Sequence, residues 1–158
     1  LEVPVINLGF SGNGRMEPEV GGLLAELDPC IYVLDSLGNM TKAQVVERIE
    51  PFVQRLREAH PDTPIVFIED RNRENSSYRP GIRGIEIGKS IASKEAYENL
   101  VAGGVTELHY LSDSLKSNID GEGTVDGIHP NDLGFMRIAD SLEPHLKELL
   151  NKTGGNHG

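Results

Sequence analysis

The sequence predicts an α/β domain in which a parallel sheet is covered by helices on both faces. Short apolar runs alternate along the chain with segments whose apolar residues recur at helical spacing, which is the pattern of that fold class. Two of the runs are continuously apolar, as expected of parallel strands that are covered on both sides. The length of 158 residues suits one domain with a substantial core.

Four apolar runs are predicted to be strands. They cover residues 3–8, 30–34, 64–68 and 106–111. Each is followed by a loop, and the carboxyl ends of parallel strands share one edge of the sheet, where α/β proteins bind their ligands. We therefore expect four loops to reach that edge: residues 9–14, 35–40, 70–88 and 112–129.

Apolar periodicity predicts four helices, over residues 18–27, 42–60, 89–101 and 133–150. Thr41 is the expected N-cap of the second helix, and Pro51 is expected to kink or divide it. Residues 75–88 are rich in turn formers and show no periodicity, which predicts an irregular surface excursion. The sequence thus predicts one domain over residues 1–150, incomplete at its N-terminus, and a disordered tail at 151–158.

Composition narrows the range of partners. The formal net charge of −10 argues against nucleic acid and against an anionic membrane. No apolar run has the length of a membrane span. The single cysteine, Cys30, excludes an intramolecular disulfide, and its apolar surroundings predict a buried structural thiol. The chain opens at Leu1 rather than Met, so the true N-terminus is expected to be absent, and neither a cytoplasmic nor an exported location is favoured.

Asp126 precedes His129 by three residues, in the stretch Asp-Gly-Ile-His-Pro. A histidine that acts as a general base needs a carboxylate to hold one tautomer and to stabilise the imidazolium that forms. An Asp-x-x-His turn supplies both groups from one loop. The alternative is that the stretch only begins a helix at Pro130 or Asn131, with Asp132 in the first turn. The two interpretations are compatible, because a helix start fixes the loop that carries the pair.

The glycine-rich loop at residues 9–14 has several possible meanings. It could cradle a dinucleotide phosphate, but its spacing is not Gly-x-Gly-x-x-Gly. It could be a nucleophile elbow around Ser11, but Asn13 stands where Gly-x-Ser-x-Gly has its last glycine. It could also form an oxyanion hole, in which a small residue lets a backbone N–H approach a developing negative charge. Taken alone, the loop is most simply a tight turn.

Asn39 follows the second predicted strand, in Leu-Gly-Asn-Met. A side-chain amide at that place can stabilise an oxyanion, although turn or capping asparagines are commoner. The order of the motifs is more specific than any one of them: strand then Ser-Gly-Asn, strand then Leu-Gly-Asn, and a late Asp-x-x-His-Pro before the last helix. This order resembles the SGNH hydrolases, also called the GDSL esterase and lipase family, from Val5 to near the end of the final helix.

The resemblance implies a three-layer, flavodoxin-like fold with strand order 2-1-3-4-5, and ester hydrolysis that needs no metal and no organic cofactor. By this resemblance the oxyanion donors correspond to Gly12, with Gly14 as a less favoured register, and to Asn39. The carboxylate and the base of the triad correspond to Asp126 and His129. Residues 7–14 are similar to a bacterial branch of the family associated with carbohydrate or acyl-ester deacylation, which implies a small-molecule or carbohydrate ester as substrate.

The chain departs from the family at its nucleophile. The family's serine follows the first strand and precedes the glycine block, but only residues 1–4 come before the strand of that block here. We therefore expect an upstream segment to supply the serine and the central strand, and the chain alone to be inactive. Without that strand two edges stay unpaired, at a cost of about 1 kcal/mol for each lost ladder hydrogen bond. A rearranged sheet that closes the gap is the alternative.

Other candidates remain open at the sequence level. Asn13, Arg71 and Tyr78 lie in loops of the active edge and are candidate substrate-lining residues, although a solvated loop is the preferred explanation for Arg71 and Tyr78. Two other functions also fit the pattern. One is a non-catalytic binding module that keeps the cleft without the nucleophile. The other is a nucleotide-binding α/β protein, which predicts no role for Asp126 and His129. The sequence does not give the oligomeric state.

Overall fold

A parallel sheet of three strands lies at the centre of the described part of the chain. The computed structural model describes residues 1–69, 79–112 and 120–152. Its strands are β1 (Tyr32–Leu34), β2 (Ile65–Ile68) and β3 (Leu108–Leu111), and they lie in that order in the sheet. Both pairings are parallel, with Val33 opposite Val66 and Val66 opposite His109. The predicted α/β class with a parallel sheet is confirmed.

In the described residues four helices accompany the sheet: α1 (Pro18–Leu24), α2 (Lys42–Ala59), α3 (Pro80–Ala102) and α4 (Asp132–Lys152). A 3-10 turn, Leu37–Asn39, follows β1. The predicted N-cap of α2 is confirmed: the Thr41 hydroxyl accepts from the Gln44 N–H at 3.3 Å, and the Gln44 side chain accepts from the Thr41 N–H at 2.9 Å. The helix runs as one element through Pro51, so the proline does not divide it, and a kink at Pro51 stays a prediction.

The predicted strand at residues 3–8 does not form within the described chain. Its residues make no ladder, and Val5 is 81% exposed. A strand exists only as a partner of another strand, because its backbone N–H and C=O groups must be satisfied by a neighbour. The apolar run is present, but none of the three strands in the described sheet pairs with it.

Helix α3 begins nine residues earlier than predicted, at Pro80 rather than at 89. The proline and glycines of residues 80–88, which suggested an irregular segment, are part of this helix. Pro80 occupies the first turn, where its fixed φ and missing N–H are harmless. Gly88 is in the helix and packs near the stem of Lys42, where an added Cβ would lie 3.7 Å from the Lys42 Cδ. The prediction of an irregular excursion is wrong for 80–88, and 70–78 lie outside the described residues.

Smaller differences concern the ends of elements. Helix α1 stops at Leu24, where the Ala25 N–H bonds the Gly21 carbonyl at 3.0 Å, and not at residue 27. Cys30 precedes β1 instead of belonging to it and is only partly buried. Helix α4 includes residues 151–152, which were predicted to begin the tail, and 153–158 lie outside the described residues.

The core lies between one face of the sheet and helices α1, α2 and α3. Ile65 and Phe67 of β2 join it from the sheet, and Ile49 and Val53 join it from α2. Their neighbours in β2, Val66 and Ile68, point to the opposite face by strand alternation and are also buried. None of the helices in the described ranges is both long and apolar enough to cross a membrane.

Candidate active site

Asp126 and His129 form a closed turn at the amino end of α4. Asp126 Oδ2 lies 2.7 Å from His129 Nδ1, and Asp126 Oδ1 accepts hydrogen bonds from the backbone N–H groups of His129 at 2.8 Å and Ile128 at 3.0 Å. Gly127 makes the turn possible with a φ of +81°, a conformation that costs glycine little. One carboxylate therefore holds both the backbone of the turn and the imidazole ring.

The charge state of Asp126 sets the tautomer of His129. The His129 backbone N–H and, next, its ring lower the pKa of Asp126 to about 2. The carboxylate is ionised near neutral pH and can only accept hydrogen bonds, so Nδ1 must carry the proton that lies between them. This leaves the Nε2 lone pair of a neutral ring free to take a proton, which is the state a general base requires. The His129 side chain is 73% exposed, so that nitrogen is accessible.

The turn is held against α4 by Asn131 and Gly134. Asn131 Nδ2 donates to the Glu122 carbonyl at 2.7 Å, its backbone N–H donates to Gly123 at 3.1 Å, and its Oδ1 accepts from the Gly134 N–H at 3.0 Å. At Gly134 an added Cβ would collide with the carbonyl oxygen of Gly123. The loop thus packs on the first turn of α4 so closely that only glycine fits at 134.

A second tie connects the start of the same loop to α4. The guanidinium of Arg137 binds the carboxylate of Asp120 with both of its terminal nitrogens, at 2.8 and 2.7 Å. This bidentate geometry is the stronger kind of ion pair. The Arg137 guanidinium and the Glu122 N–H hold the pKa of the Asp120 carboxyl well below its ordinary value. Residues 120–131 are therefore fixed at both ends.

The glycine loop adopts left-handed backbone conformations at consecutive positions. Ser11 has a φ of +42° and Gly12 a φ of +78°. The next bend is at Gly14, with a φ of +76°. Within the hydrogen bonds of the described residues, the Gly12 carbonyl accepts from the Arg15 guanidinium at 3.0 Å while none uses the Gly12 N–H. An exposed N–H held in a bent loop can donate to a bound oxyanion.

Asn39 joins the two predicted oxyanion loops. Its side-chain Nδ2 donates to the Asn13 carbonyl at 2.7 Å, across 26 residues of sequence. One hydrogen of the amide is used in this bond, and the second is left for another acceptor. Asn39 ends the 3-10 turn after β1 and is exposed, with the buried Leu37 and Met40 on either side. The turn thus presents the amide at the carboxyl edge of the sheet.

The structure brings the predicted residues together in two groups. Asp126 contacts His129, and Asn39 contacts the loop that holds Gly12 and Asn13. Within the described ranges no hydrogen bond or ion pair joins one group to the other. The Asn13 side chain is bonded locally, its Nδ2 donating to the Phe10 carbonyl at 3.2 Å, and only its backbone takes part in the contact with Asn39. Arg71 and Tyr78 lie outside the described residues.

The residues that hold the Asp126–His129 turn were not predicted from the sequence. Gly134 had a local signal, because it lies three residues after the Asn131 cap in a helix otherwise rich in helix formers. The pair of Asp120 and Arg137 had none, since 17 residues separate the partners. No group of three or more His, Cys, Asp or Glu side chains suited to a metal occurs among the residues that the structure describes.

Comparison with known proteins places the chain in a family. The model of the GDSL-like lipase/acylhydrolase family matches residues 1–147. The chain is similar to a Bacteroides ovatus protein of known crystal structure, described as a GDSL-like lipase. The two sequences are 39% identical, and the structures superpose with a TM-score of 0.88 over 92% of this chain. A salicylyl-acyltransferase, SsfX3, from a tetracycline biosynthetic pathway is 21% identical with a TM-score of 0.62 over 86% of the chain, which shows a shared fold.

The match covers only part of the longer proteins. The chain spans 43% of the length of the Bacteroides ovatus protein and 42% of that of the acyltransferase. A search among curated proteins gave no significant match. The family match extends over nearly the whole chain and includes the glycine loop, the Asn39 turn and the Asp126–His129 turn. The chain belongs to the GDSL-like lipase/acylhydrolase family.

Proposed function

We propose that this chain carries the acid–base and oxyanion groups of a serine-dependent carboxylic ester hydrolase. The observation that carries the proposal is the 2.7 Å contact between Asp126 Oδ2 and His129 Nδ1, with the carboxylate ionised and Nε2 exposed. Membership of an acylhydrolase family supports the same reaction class. No organic cofactor or metal is required for this chemistry.

The acid–base step follows from the state of the turn. His129 Nε2 takes the proton of a serine hydroxyl as its oxygen attacks the ester carbonyl, and then gives that proton to the leaving alcohol. Water repeats the step on the acyl-enzyme. Asp126 keeps the ring in the Nδ1–H tautomer and stabilises the imidazolium that forms between the two proton transfers. The three backbone and side-chain bonds to Asp126 keep this pairing in one geometry.

The oxyanion is stabilised by the other group of residues. The Gly12 N–H and the second amide hydrogen of Asn39 are the donors. Such donors matter most when they are held in place before the reaction, because they then need no rearrangement as charge develops. The bond from Asn39 Nδ2 to the Asn13 carbonyl supplies that rigidity, since it fixes the amide relative to the glycine loop.

The nucleophile belongs to a segment outside this sequence. Two features support this part of the proposal. Within the described residues, Asp126 is the hydrogen-bond partner of the His129 ring, and no serine contacts it. Strand β1 also keeps one edge without a partner in the described sheet, and its Val33 is 42% exposed. A strand added at that edge would end beside the Asn39 turn, where a serine on its following loop would meet the oxyanion donors.

The proposal is tested with the full-length protein and p-nitrophenyl acetate. We expect His129→Ala to lower kcat by about 10³-fold or more, as loss of a general base does, and Asn39→Ala by about 10²-fold, as loss of one oxyanion donor does. His145→Ala, which changes an exposed histidine of α4, is the matched control and should leave kcat unchanged. Full turnover in both site variants would exclude these residues from the reaction.

A binding module without catalysis is the second candidate. It is favoured by the high exposure of His129 and by the lack of a serine against its ring in the described part of the chain. Full-length protein that binds esters but does not hydrolyse them would establish this function instead. The narrower substrate class, acetylated carbohydrate, rests on the resemblance of residues 7–14. It is tested by acetate release from acetylated sugars compared with p-nitrophenyl acetate.

A further inference from the structure

The 3-10 turn that carries Asn39 is held by a lysine from a distant helix. Lys89 Nζ donates to the Leu37 carbonyl at 2.8 Å, across 52 residues of sequence. The same carbonyl accepts from the Met40 N–H at 3.2 Å, which closes the turn. Both lone pairs of one oxygen are therefore used, one within the turn and one by α3.

Lys89 is buried, which is unusual for its residue type. Only 2% of it is exposed, and Lys is among the residues least often found fully buried. Burying an amino group is costly unless it donates hydrogen bonds to well-placed acceptors. Leu37 O is such an acceptor. The amino group of Lys89 thus makes a bond to this turn that an apolar side chain could not make.

The path from Lys89 to the reaction site is short. The Leu37 carbonyl belongs to the peptide group that joins Leu37 to Gly38. The direction of this carbonyl therefore sets the orientation of the peptide group with which the turn starts. Gly38 and Asn39 follow directly and form the exposed tip of the turn, and the side chains of Leu37 and Met40 are buried on either side of it. A hydrogen bond to the carbonyl of the first residue therefore helps to fix the backbone that leads to the Asn39 amide.

We propose that Lys89 is a positioning residue for the oxyanion donor Asn39. The inference rests on the proposed function of Asn39 and assigns Lys89 no contact with substrate. Lys89 orients the peptide between Leu37 and Gly38, and the turn then presents the Asn39 amide to the Asn13 carbonyl and to the oxyanion. Loss of that anchor affects the transition state more than the bound ester, because the oxyanion forms only in the transition state.

The test is a double-mutant cycle in the full-length protein. Lys89→Met keeps the length and apolar volume of the side chain without the donor, and it should lower kcat about tenfold with KM unchanged. In the Asn39→Ala background the same substitution should cost less than about twofold, because the group that it positions is already gone. Lys94→Met, an exposed lysine of the same helix, is the control and should be neutral in both backgrounds.

Equal losses from Lys89→Met in both backgrounds would overturn the inference, since they would show a structural role independent of Asn39. A change in KM alone would do the same. Lys89→Arg keeps a donor and should recover part of kcat. If Lys89→Met does not fold, the double-mutant cycle is made with Lys89→Arg and Asn39→Ala instead. Losses of kcat that are additive in that cycle would count against the inference.

A spectroscopic readout separates this inference from the proposed function. If the wild-type full-length protein hydrolyses no ester, the proposed function fails, but the position of Asn39 can still be measured. The side-chain amide of Asn39 gives its own pair of 15N–1H signals. These signals should shift in Lys89→Met and stay in place in Lys94→Met. Unchanged Asn39 signals in Lys89→Met would overturn the positioning role whatever the activity.

Discussion

At the scale of the residue, Asp126 performs two tasks with its two oxygens. Oδ1 accepts hydrogen bonds from two backbone N–H groups, and Oδ2 is hydrogen-bonded to the imidazole of His129. The backbone bond from His129 is the largest cause that lowers its pKa, and the ring bond is second. The acidity of this carboxyl is thus set chiefly by how the turn is folded. The histidine ring adds to an ionised state that the backbone already favours.

The titration of Asp126 provides a direct check. Its pKa in the folded chain is about 2, below the ordinary value of 3.8, so the group stabilises the turn above about pH 4. That stabilisation is lost as pH falls towards 2. In 13C NMR the Asp126 Cγ signal should therefore keep its ionised shift at pH 4. In His129→Ala the midpoint should rise only in part, because the backbone N–H remains. A midpoint at the ordinary value in the wild type would contradict this account.

At the scale of the element, the contact between Gly134 and Gly123 joins the loop of Asp126 and His129 to α4. Any side chain at 134 must push the loop away, since the obstructing atom is a backbone oxygen. The consequence reaches Asp126 and His129, which belong to the same loop. Helix α4 is therefore the support of the site as well as a part of the fold.

Gly134→Ala tests this support. We expect it to lower the free energy of unfolding by about 1–3 kcal/mol, as overpacking does, and to lower kcat in the full-length protein. Gly84→Ala in α3 is the matched control, because an added Cβ there meets no atom within 4 Å. That substitution should stabilise its helix by up to about 1 kcal/mol. Urea unfolding of both variants measures the difference. A Gly134→Ala protein as stable and active as the wild type would show that the loop is free to shift.

The elements differ in how well their sequences predict them. Helix α2 was predictable because its information is local: Thr41 and Gln44 form the capping box, and Val45 and Ile49 mark the buried face. The first half of α3 was not, since proline and glycines resemble a loop until tertiary packing shows otherwise. The strand predicted at 3–8 failed for the opposite reason. Its residues favour a strand, but a strand depends on a partner that no local pattern reveals.

The site shows the same limit. Asp126 and His129 were predictable as a pair because three residues separate them in one turn. Gly12 and Asn39 were found through the order of motifs along the chain. The contact of Asn39 with the Asn13 carbonyl, and that of Lys89 with the Leu37 carbonyl, join distant segments through backbone oxygens. Backbone acceptors are the same at every residue, so sequence carries no sign of which one will be used.

At the scale of the whole molecule, Arg57 connects the elements at the edge opposite the site. Its guanidinium donates to four carbonyls that follow α2 or precede β2 and β3. These four acceptors are His60, Thr63, Thr106 and Glu107. One side chain thus ties the end of a helix to the entry of two strands. These bonds hold the amino edge of the sheet in register.

Arg57→Met should therefore lower the free energy of unfolding by about 2–4 kcal/mol, because it leaves two partly buried carbonyls, those of His60 and Thr63, without this donor. Arg55→Met is the control: Arg55 makes an exposed pair with Glu58 at 3.3 Å, and such pairs contribute at most about 1 kcal/mol. Denaturant unfolding compares the two variants. Equal effects would mean that water replaces the Arg57 bonds without loss.

The unpaired edge of β1 has a further consequence, for the behaviour of the chain in solution. An edge strand offers a row of free N–H and C=O groups to any other extended chain. Here that strand carries the half-exposed Val33, and the apolar residues 3–8 lie in the same molecule outside the described sheet. Each copy thus combines an acceptor edge with a strand-forming segment. We expect such a molecule to join its neighbours at high concentration by strand exchange, and we expect low concentration, or a peptide that caps the edge, to keep the copies apart.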